Sequence, residues 1–546
     1  MSRLLLAFPP PVNLFAGQND ENQCDPPMSV KSTRPKFVPT TCDSEGDGLS
    51  PLKNNENEWK PIIACPAGFP VELFETAVAQ LVHHPEYNST LILRSDIVTD
   101  STENIPIETP ELYNCTKLRY IHRRLLPRRP GRDEGLEQYC TFYSSRSSET
   151  EPCPADILVL TPIVSQGSKL PYYHPSVHHI AFRYIETIPA STLRIEVLPL
   201  PDTPADPSSR LYRTCLALLE TLHRYGWGAL TNYKKRVAHD CLVPREEYQD
   251  LYLIMRERHK HLVSTWQEVT DPLKHVFEDI GIATFLMLYW KTAYQQSPDT
   301  VTTDTDRPWT TWPRPPGGFF DFGCGNGLLT HILASEGYDG GGIDVRARQS
   351  WAQYPQETQA RLQVYAFDPT SNELPPFLRP GVFIIGNHAD ELTPWVPVLA
   401  TLHKASGYLS IPCCAWTFDA KFERSSTPFF PVSAHTTPDE SSATHPETDL
   451  PLTFIDSLNL GGDGSHTSSY SIYRVWLATL SLHCGWEVEC ETLRIPSTRN
   501  WAIAGRKRLS TVEEDDAIDK AQAIITTVIT RGVFKARKPE GKAGDH

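Results

Sequence analysis

Between residues 317 and 508, short apolar runs of strand length alternate with stretches whose apolar positions recur at helical spacing. Phe319, Phe320 and Asp321 read as a strand, 328–336 as a helix, and 342–345 and 363–367 as further strands. Residues 382–386 and 408–411 are apolar runs bounded by Gly or Pro, and a helix over 470–484 stops at Gly485, a residue favoured just past a helix end. Two last runs, 486–495 and 500–504, can close the sheet as a hairpin. Such alternation predicts a parallel sheet with crossover helices, which binds ligands at the carboxyl ends of its strands. A Thr-, Ser-, Pro- and Asp-rich stretch, 433–449, interrupts it as an insertion.

Elsewhere the pattern is different. Residues 1–58 are rich in Pro, Asn, Asp and Ser and predict a poorly ordered arm. From 59 to 207, runs such as Ile157-Leu158-Val159-Leu160 and 193–198, punctuated by Pro and Gly, predict an α+β region. Long amphipathic periodicities fill 208–296, with Gly226 as a stop after the first helix and Asp271-Pro272 opening the third. Residues 297–316 read as a linker, and 509–546 as a C-terminal helix followed by a basic tail carrying Lys535, Arg537, Lys538 and Lys542.

The clearest chemistry lies in Asp321-Phe322-Gly323-Cys324-Gly325-Asn326-Gly327-Leu328, between a predicted strand and a predicted helix. Gly323, Gly325 and Gly327 allow a sharp bend and close approach of a ligand to backbone. A dinucleotide fingerprint would place its third glycine where Leu328 stands, so that reading fails. An acid followed by three alternating glycines suits a cofactor without a pyrophosphate, with Asp321 accepting from an ammonium group. Asp344, at the end of the next strand, can take both hydroxyls of an adenosine ribose, and Asp368 can accept the adenine amino group. Together these fit S-adenosylmethionine. The plain alternative is a turn in an ordinary α/β domain with Asp321 and Asp344 capping helices. The cofactor reading predicts an α/β chain whose class I, Rossmann-like AdoMet methyltransferase domain, 317–508, follows the α+β region and the helical segment.

Residues 321–351 (DFGCGNGLLTHILASEGYDGGGIDVRARQSW) resemble the cofactor loop of the eukaryotic tRNA (uracil-2′-O)-methyltransferases, which methylate the ribose of uridine-44 in serine tRNA. Segments 120–133 (YIHRRLLPRRPGRD), 233–252 (YKKRVAHDCLVPREEYQDLY), 271–282 (DPLKHVFEDIGI) and 494–500 (RIPSTRN) are also similar to that family. The resemblance implies serine tRNA as partner and a ribose 2′-hydroxyl as methyl acceptor. Some relatives carry a C-terminal CCCH zinc finger, and no such finger follows Cys490 here.

Methyl transfer to a hydroxyl is an in-line displacement helped by positioning and by a general base. Gly386-Asn387-His388-Ala389-Asp390-Glu391 follows the fourth strand, and His388 or Asp390 can orient or deprotonate the hydroxyl; Asp390 and Glu391 can equally cap the next helix. Lys421 and Glu423 are weaker candidates, and Cys413 and Cys414 read as packing residues. For RNA, Arg119, Arg123, Arg124, Arg128, Arg129 and Arg132 precede the first acid, Asp133, with Tyr120 available to stack on a base. Arg123, Arg124, Arg128 and Arg129 are the leading candidates there, with Lys234, Lys235 and Arg236 second.

Composition narrows the classes. At 40% hydrophobic and 21% charged residues the chain is globular, and no run approaches the roughly 20 apolar residues of a membrane span. A net charge of −15 weighs against indiscriminate coating of nucleic acid, so RNA binding requires a local basic patch, and DNA is not expected. Thirteen cysteines with no CxxC pair and no zinc spacing predict reduced thiols, no metal and a cytoplasmic protein. Two readings compete with the tRNA methyltransferase: an RNA-binding scaffold on a decayed methyltransferase fold, and a methyltransferase of proteins or small molecules.

Overall fold

Runs that alternate apolar and polar positions between residues 60 and 199 pair into one antiparallel sheet in the computed structural model. The structure describes residues 34–42, 49–54, 59–146, 153–164, 169–233, 237–294, 306–371, 373–432, 450–462 and 466–536. Most of the expected arm, the insertion 433–449, and Lys234, Lys235, Arg236, Arg537, Lys538 and Lys542 lie outside them. The described chain falls into two units, residues 34–233 and 237–536.

The first unit runs β1 (Thr40–Thr41), β2 (Lys60–Pro66), α1 (Phe74–His83), β3 (Ile92–Ser101), β4 (Thr116–Pro127), β5 (Leu136–Ser144), β6 (Ile157–Ile163), β7 (Val177–Ile185), β8 (Thr192–Pro199) and α2 (Arg210–Leu230). Its eight strands are ordered β1-β2-β8-β7-β6-β5-β4-β3. Alternation on β8 turns Leu193, Ile195 and Val197 into a core shared with Val78 and Leu81 of α1 and Cys215, Leu219 and Leu222 of α2. Ser209 caps α2 by accepting from the Tyr212 amide at 3.1 Å. Gly226 does not stop this helix, which continues to Leu230: a Cβ at 226 would overlap the Phe69 ring, so the glycine is a packing notch.

The second unit runs α3 (Arg245–His259), α4 (Pro272–Ala293), β9 (Phe319–Phe322), α5 (Leu328–Ser335), β10 (Gly340–Asp344), α6 (Gln356–Gln359), β11 (Leu362–Val364), β12 (Phe383–Asn387), α7 (Trp395–Leu402), β13 (Gly407–Ile411), α8 (Leu452–Ser457), α9 (Ser469–His483), β14 (Glu489–Thr492), β15 (Trp501–Gly505) and α10 (Glu514–Arg531). The strand order is β11-β10-β9-β12-β13-β15-β14. Strands β9 to β13 pair in parallel, and β15 and β14 close the sheet antiparallel. This is the Rossmann-like methyltransferase sheet expected from the sequence. Strand order reverses between β9 and β12, which opens a crevice at their carboxyl ends.

The periodicities of 208–296 do not form one body: α2 belongs to the first unit, α3 and α4 to the second. Helix α4 is buried almost all round from Val276 to Trp290, its Trp290 ring lying against Phe319, Phe383 and Tyr338. No helix among the described residues is long and apolar enough to cross a membrane.

Candidate active site

Strand β9 ends at Phe322, and the chain then bends through Gly323, Gly325 and Gly327 at φ of 88°, 55° and 74°, the left-handed region that side chains disfavour. The bend is tied down from several sides. The amides of Gly323 and Cys324 donate to the Ile343 carbonyl on β10, and Asn326 Oδ1 accepts from the Leu328 amide where α5 starts. Trp351 Nε1 donates to the Gly325 carbonyl at 2.9 Å and the Tyr354 hydroxyl to the Asn326 carbonyl at 3.1 Å. A Cβ at Gly327 would fall 2.7 Å from Leu362 Cδ1, whereas one at Gly325 would meet nothing within 4 Å. The middle of the bend is therefore bare backbone facing open space.

Two carboxylates flank it. Asp321 is 1% exposed; its Oδ2 accepts from Thr330 Oγ1 at 2.8 Å and its Oδ1 has no partner. Burial, with a contribution from Asp344, pushes the Asp321 carboxyl up to about 7. Asp344 Oδ2 accepts from the Gly325 amide at 3.0 Å and Oδ1 from the Arg346 amide at 3.2 Å. An orphaned buried oxygen and an uncovered backbone are the features that a ligand bearing an ammonium group would complete. S-adenosylmethionine fits this donor and acceptor set. Asp368 is placed otherwise than its sequence position suggests. Strand β11 stops at Val364, and Asp368 sits beyond it in a turn, its Oδ1 accepting from the Thr370 amide and hydroxyl.

The loop after β12 packs over the first glycine, a Cβ at Gly323 lying 3.5 Å from that of Ala389. Here two non-glycine residues adopt positive φ, His388 at 50° and Asp390 at 44°. His388 Nε2 lies 3.1 Å from Glu278 Oε1, while its Nδ1 is buried without a partner. Burial opposes the charge of Glu278, but hydrogen bonds from His388 and Ser497 outweigh it and hold the carboxyl below its ordinary range. The neighbouring Asp279 accepts from Asn387 Nδ2 at 3.3 Å; burial, then Glu278 and Asp321, push its carboxyl far up.

Glu278 and Asp279 join the site although sequence reasoning missed them. Their signal was two adjacent acids in a helix otherwise apolar from Ile280 to Trp290. Cys413 and Cys414 are not core residues: one is half-buried, the other exposed, and both sulfurs converge on Asp390, whose Oδ1 accepts from Cys413 Sγ at 3.1 Å. Lys421 and Glu423 sit on an exposed turn, Lys421 over the Trp416 ring and Glu423 bonded to Ser426.

The arginine run is dispersed by the antiparallel pairing of β4. Arg123 is 3% exposed; its guanidinium donates to Gln138 Oε1 and to the carbonyls of Leu81 and Val82, so it is a structural cation and no phosphate ligand. Arg124 pairs with Glu137 of β5 at 2.9 Å, Arg129 with Asp133 at 2.8 Å, and Arg128 Nε donates to the Ile92 carbonyl. Arg119 pairs with Asp100 and Glu75. Acids from α1, β3, β5 and the bend just after the run thus meet a stretch that itself contains none.

Comparison with known proteins gives two family matches: "TRM44-like, N-terminal bet v1-like domain" over residues 35–236, and "Predicted AdoMet-dependent methyltransferase" over 242–307 and 309–369. The chain is 34% identical over 490 residues to a tRNA (uracil-O(2)-)-methyltransferase of Schizosaccharomyces pombe, covering 83% of this chain and 86% of that protein. It is 33% identical to one of Neurospora crassa (84% and 89% covered) and 29% identical to one of Saccharomyces cerevisiae (79% and 84%). No solved structure matches.

Proposed function

This chain belongs to the tRNA (uracil-O(2)-)-methyltransferase family and uses S-adenosylmethionine as methyl donor, and from that premise we propose that it methylates the ribose 2′-hydroxyl of uridine-44 in serine tRNA. The observation that carries the reading is the bare glycine bend between two carboxylates, with the His388–Glu278 pair beside it. Asp321 Oδ1 would receive the ammonium group of the cofactor, Asp344 its ribose hydroxyls and Asp368 its adenine amino group. The bound cofactor supplies an electrophilic sulfonium methyl.

Glu278 favours the tautomer in which His388 Nε2 carries the proton and donates to the carboxylate, which leaves Nδ1 as a lone pair. That lone pair is suited to take the 2′-hydroxyl proton as oxygen attacks. Asp390, held by Cys413, would orient the hydroxyl. Arg124, Arg128 and Arg129 would contact phosphates, the first and last exchanging Glu137 and Asp133 for RNA. The proposed place of action is the cytoplasm, in keeping with thirteen cysteines that carry no CxxC pair.

The test is transfer of labelled methyl from S-adenosylmethionine to tRNA from cells lacking the modification. The expected product is 2′-O-methyluridine at position 44 of serine tRNA, mapped by mass spectrometry. Label confined to protein, or to another nucleoside, would refute the proposal.

A further inference from the structure

A cavity of about 520 Å³ opens beside the glycine loop, between the end of α3 with the turn after it, α5, and residues 350–355. Leu328 and Tyr354 border it, but Asp321, Asp344, Asp368 and His388 do not. Its walls carry aromatic surface. The His331 ring stacks on Tyr354 at 4.5 Å and 14°, and Trp266, itself parallel to His275, lines another side.

At one end Glu336 is buried and accepts from Arg258 Nε and Nη2, His259 Nε2, Arg307 Nη2 and Trp309 Nε1 at 2.7–3.1 Å. Burial works against its charge, yet the hydrogen bonds from His259 and Arg258 hold its carboxyl at about 2. One carboxylate is therefore shared by two guanidinium groups, and the cluster keeps a positive excess. Nearby acids are already engaged: Glu268 accepts from the Ser350 amide and hydroxyl, and Glu257 pairs with Lys260. Arg258 Nη1 and the exposed His261 Nε2 have no partner among the described residues.

Aromatic walls with a donor-rich, positive end describe a receptor for a planar base carrying an anionic group, and the volume suits one nucleotide. We propose that this cavity holds a single unpaired nucleotide of the RNA substrate, separate from the uridine that is methylated, its base against the aromatic side chains and its phosphate at Arg258 and His261. The assignment rests on the reading above that the substrate is RNA.

The test uses the full chain, a fluorescent unmodified tRNA transcript without S-adenosylmethionine, and the variants Trp266→Ala, Trp266→Phe and the double variant His261→Ala/Gln353→Ala, Gln353 being an exposed side chain of the cavity wall within reach of a phosphate. Loss of one stacked base or one phosphate contact should weaken tRNA binding about tenfold in Trp266→Ala and in the double variant, with Trp266→Phe near wild type. KM for tRNA should rise in parallel, with kcat at saturating tRNA and affinity for S-adenosylmethionine kept. Unchanged tRNA affinity would overturn the proposal. So would a parallel loss of cofactor affinity, which would make the cavity part of the cofactor site. Because binding is read without the donor, the expected binding losses in a chain that methylates no tRNA would sustain the cavity and sink the functional reading; methylation with every variant at wild-type KM would do the reverse.

Discussion

His388, the proposed general base, owes its orientation to a contact made across the fold. With Glu278 on Nε2 and nothing on Nδ1, the ring is held in one orientation with one nitrogen to spare. Replacing His388 by Ala should lower kcat roughly 100- to 10,000-fold, the ordinary worth of a positioned general base. Affinity for S-adenosylmethionine, read by calorimetry, should stay within about twofold, because the base acts only as the oxygen attacks. Asp321 behaves in the opposite way. Its carboxyl titrates near 7 in the free protein, and an ammonium group beside it would favour the charged form. Affinity for S-adenosylmethionine should therefore fall as pH drops below about 7, by up to about tenfold per unit, and the Asp321→Asn variant should flatten that profile. Without cofactor, the raised value makes the Asp321 contribution to stability greatest below the ordinary 3.8 and lost as pH rises toward about 7.

At the scale of elements, helix α2 shows local preference overridden by packing. In an exposed helix, Gly→Ala stabilises by roughly 0.5–1 kcal/mol. At Gly226 the new methyl would collide with the Phe69 ring, so Gly226→Ala should instead destabilise by about 1–3 kcal/mol in denaturant unfolding. A rise in stability would show that α2 shifts freely over that ring. Helix α4 is the converse case. Its amphipathic start was readable, but its burial on nearly every side follows from elements that pack on it from other parts of the chain. The β14–β15 hairpin was legible from Gly485 and two apolar runs, because turn and strand signals are local. Strand β11 was overextended for the same reason: Gln363 to Phe367 looks like a strand, yet its last backbone hydrogen bond to β10 is the one the Tyr365 amide donates to the Asp344 carbonyl at 2.9 Å.

Across the whole molecule, the charge of −15 makes RNA binding depend on a few placed cations. If Arg124 and Arg129 reach phosphates, the double variant Arg124→Glu/Arg129→Glu should raise KM for tRNA and reduce the salt slope of binding by about 2. Arg123→Ala should instead lower stability by about 2–4 kcal/mol, since it strips buried acceptors of their donor, with the salt slope of the remaining folded protein unchanged.

The sequence by itself determined the glycine bend, the β/α alternation of the second unit and the acids at 321 and 344 that flank that bend, because backbone bends and hydrophobic periods are written in residues adjacent along the chain. Only the tertiary structure decided that Glu278 holds His388, that Asp279 lies beside Asp321, and that the arginines of one uninterrupted basic stretch meet four different acids or vanish into the core. Charge pairing and burial join residues a hundred or more positions apart as readily as neighbours, and no local pattern records which partner arrives.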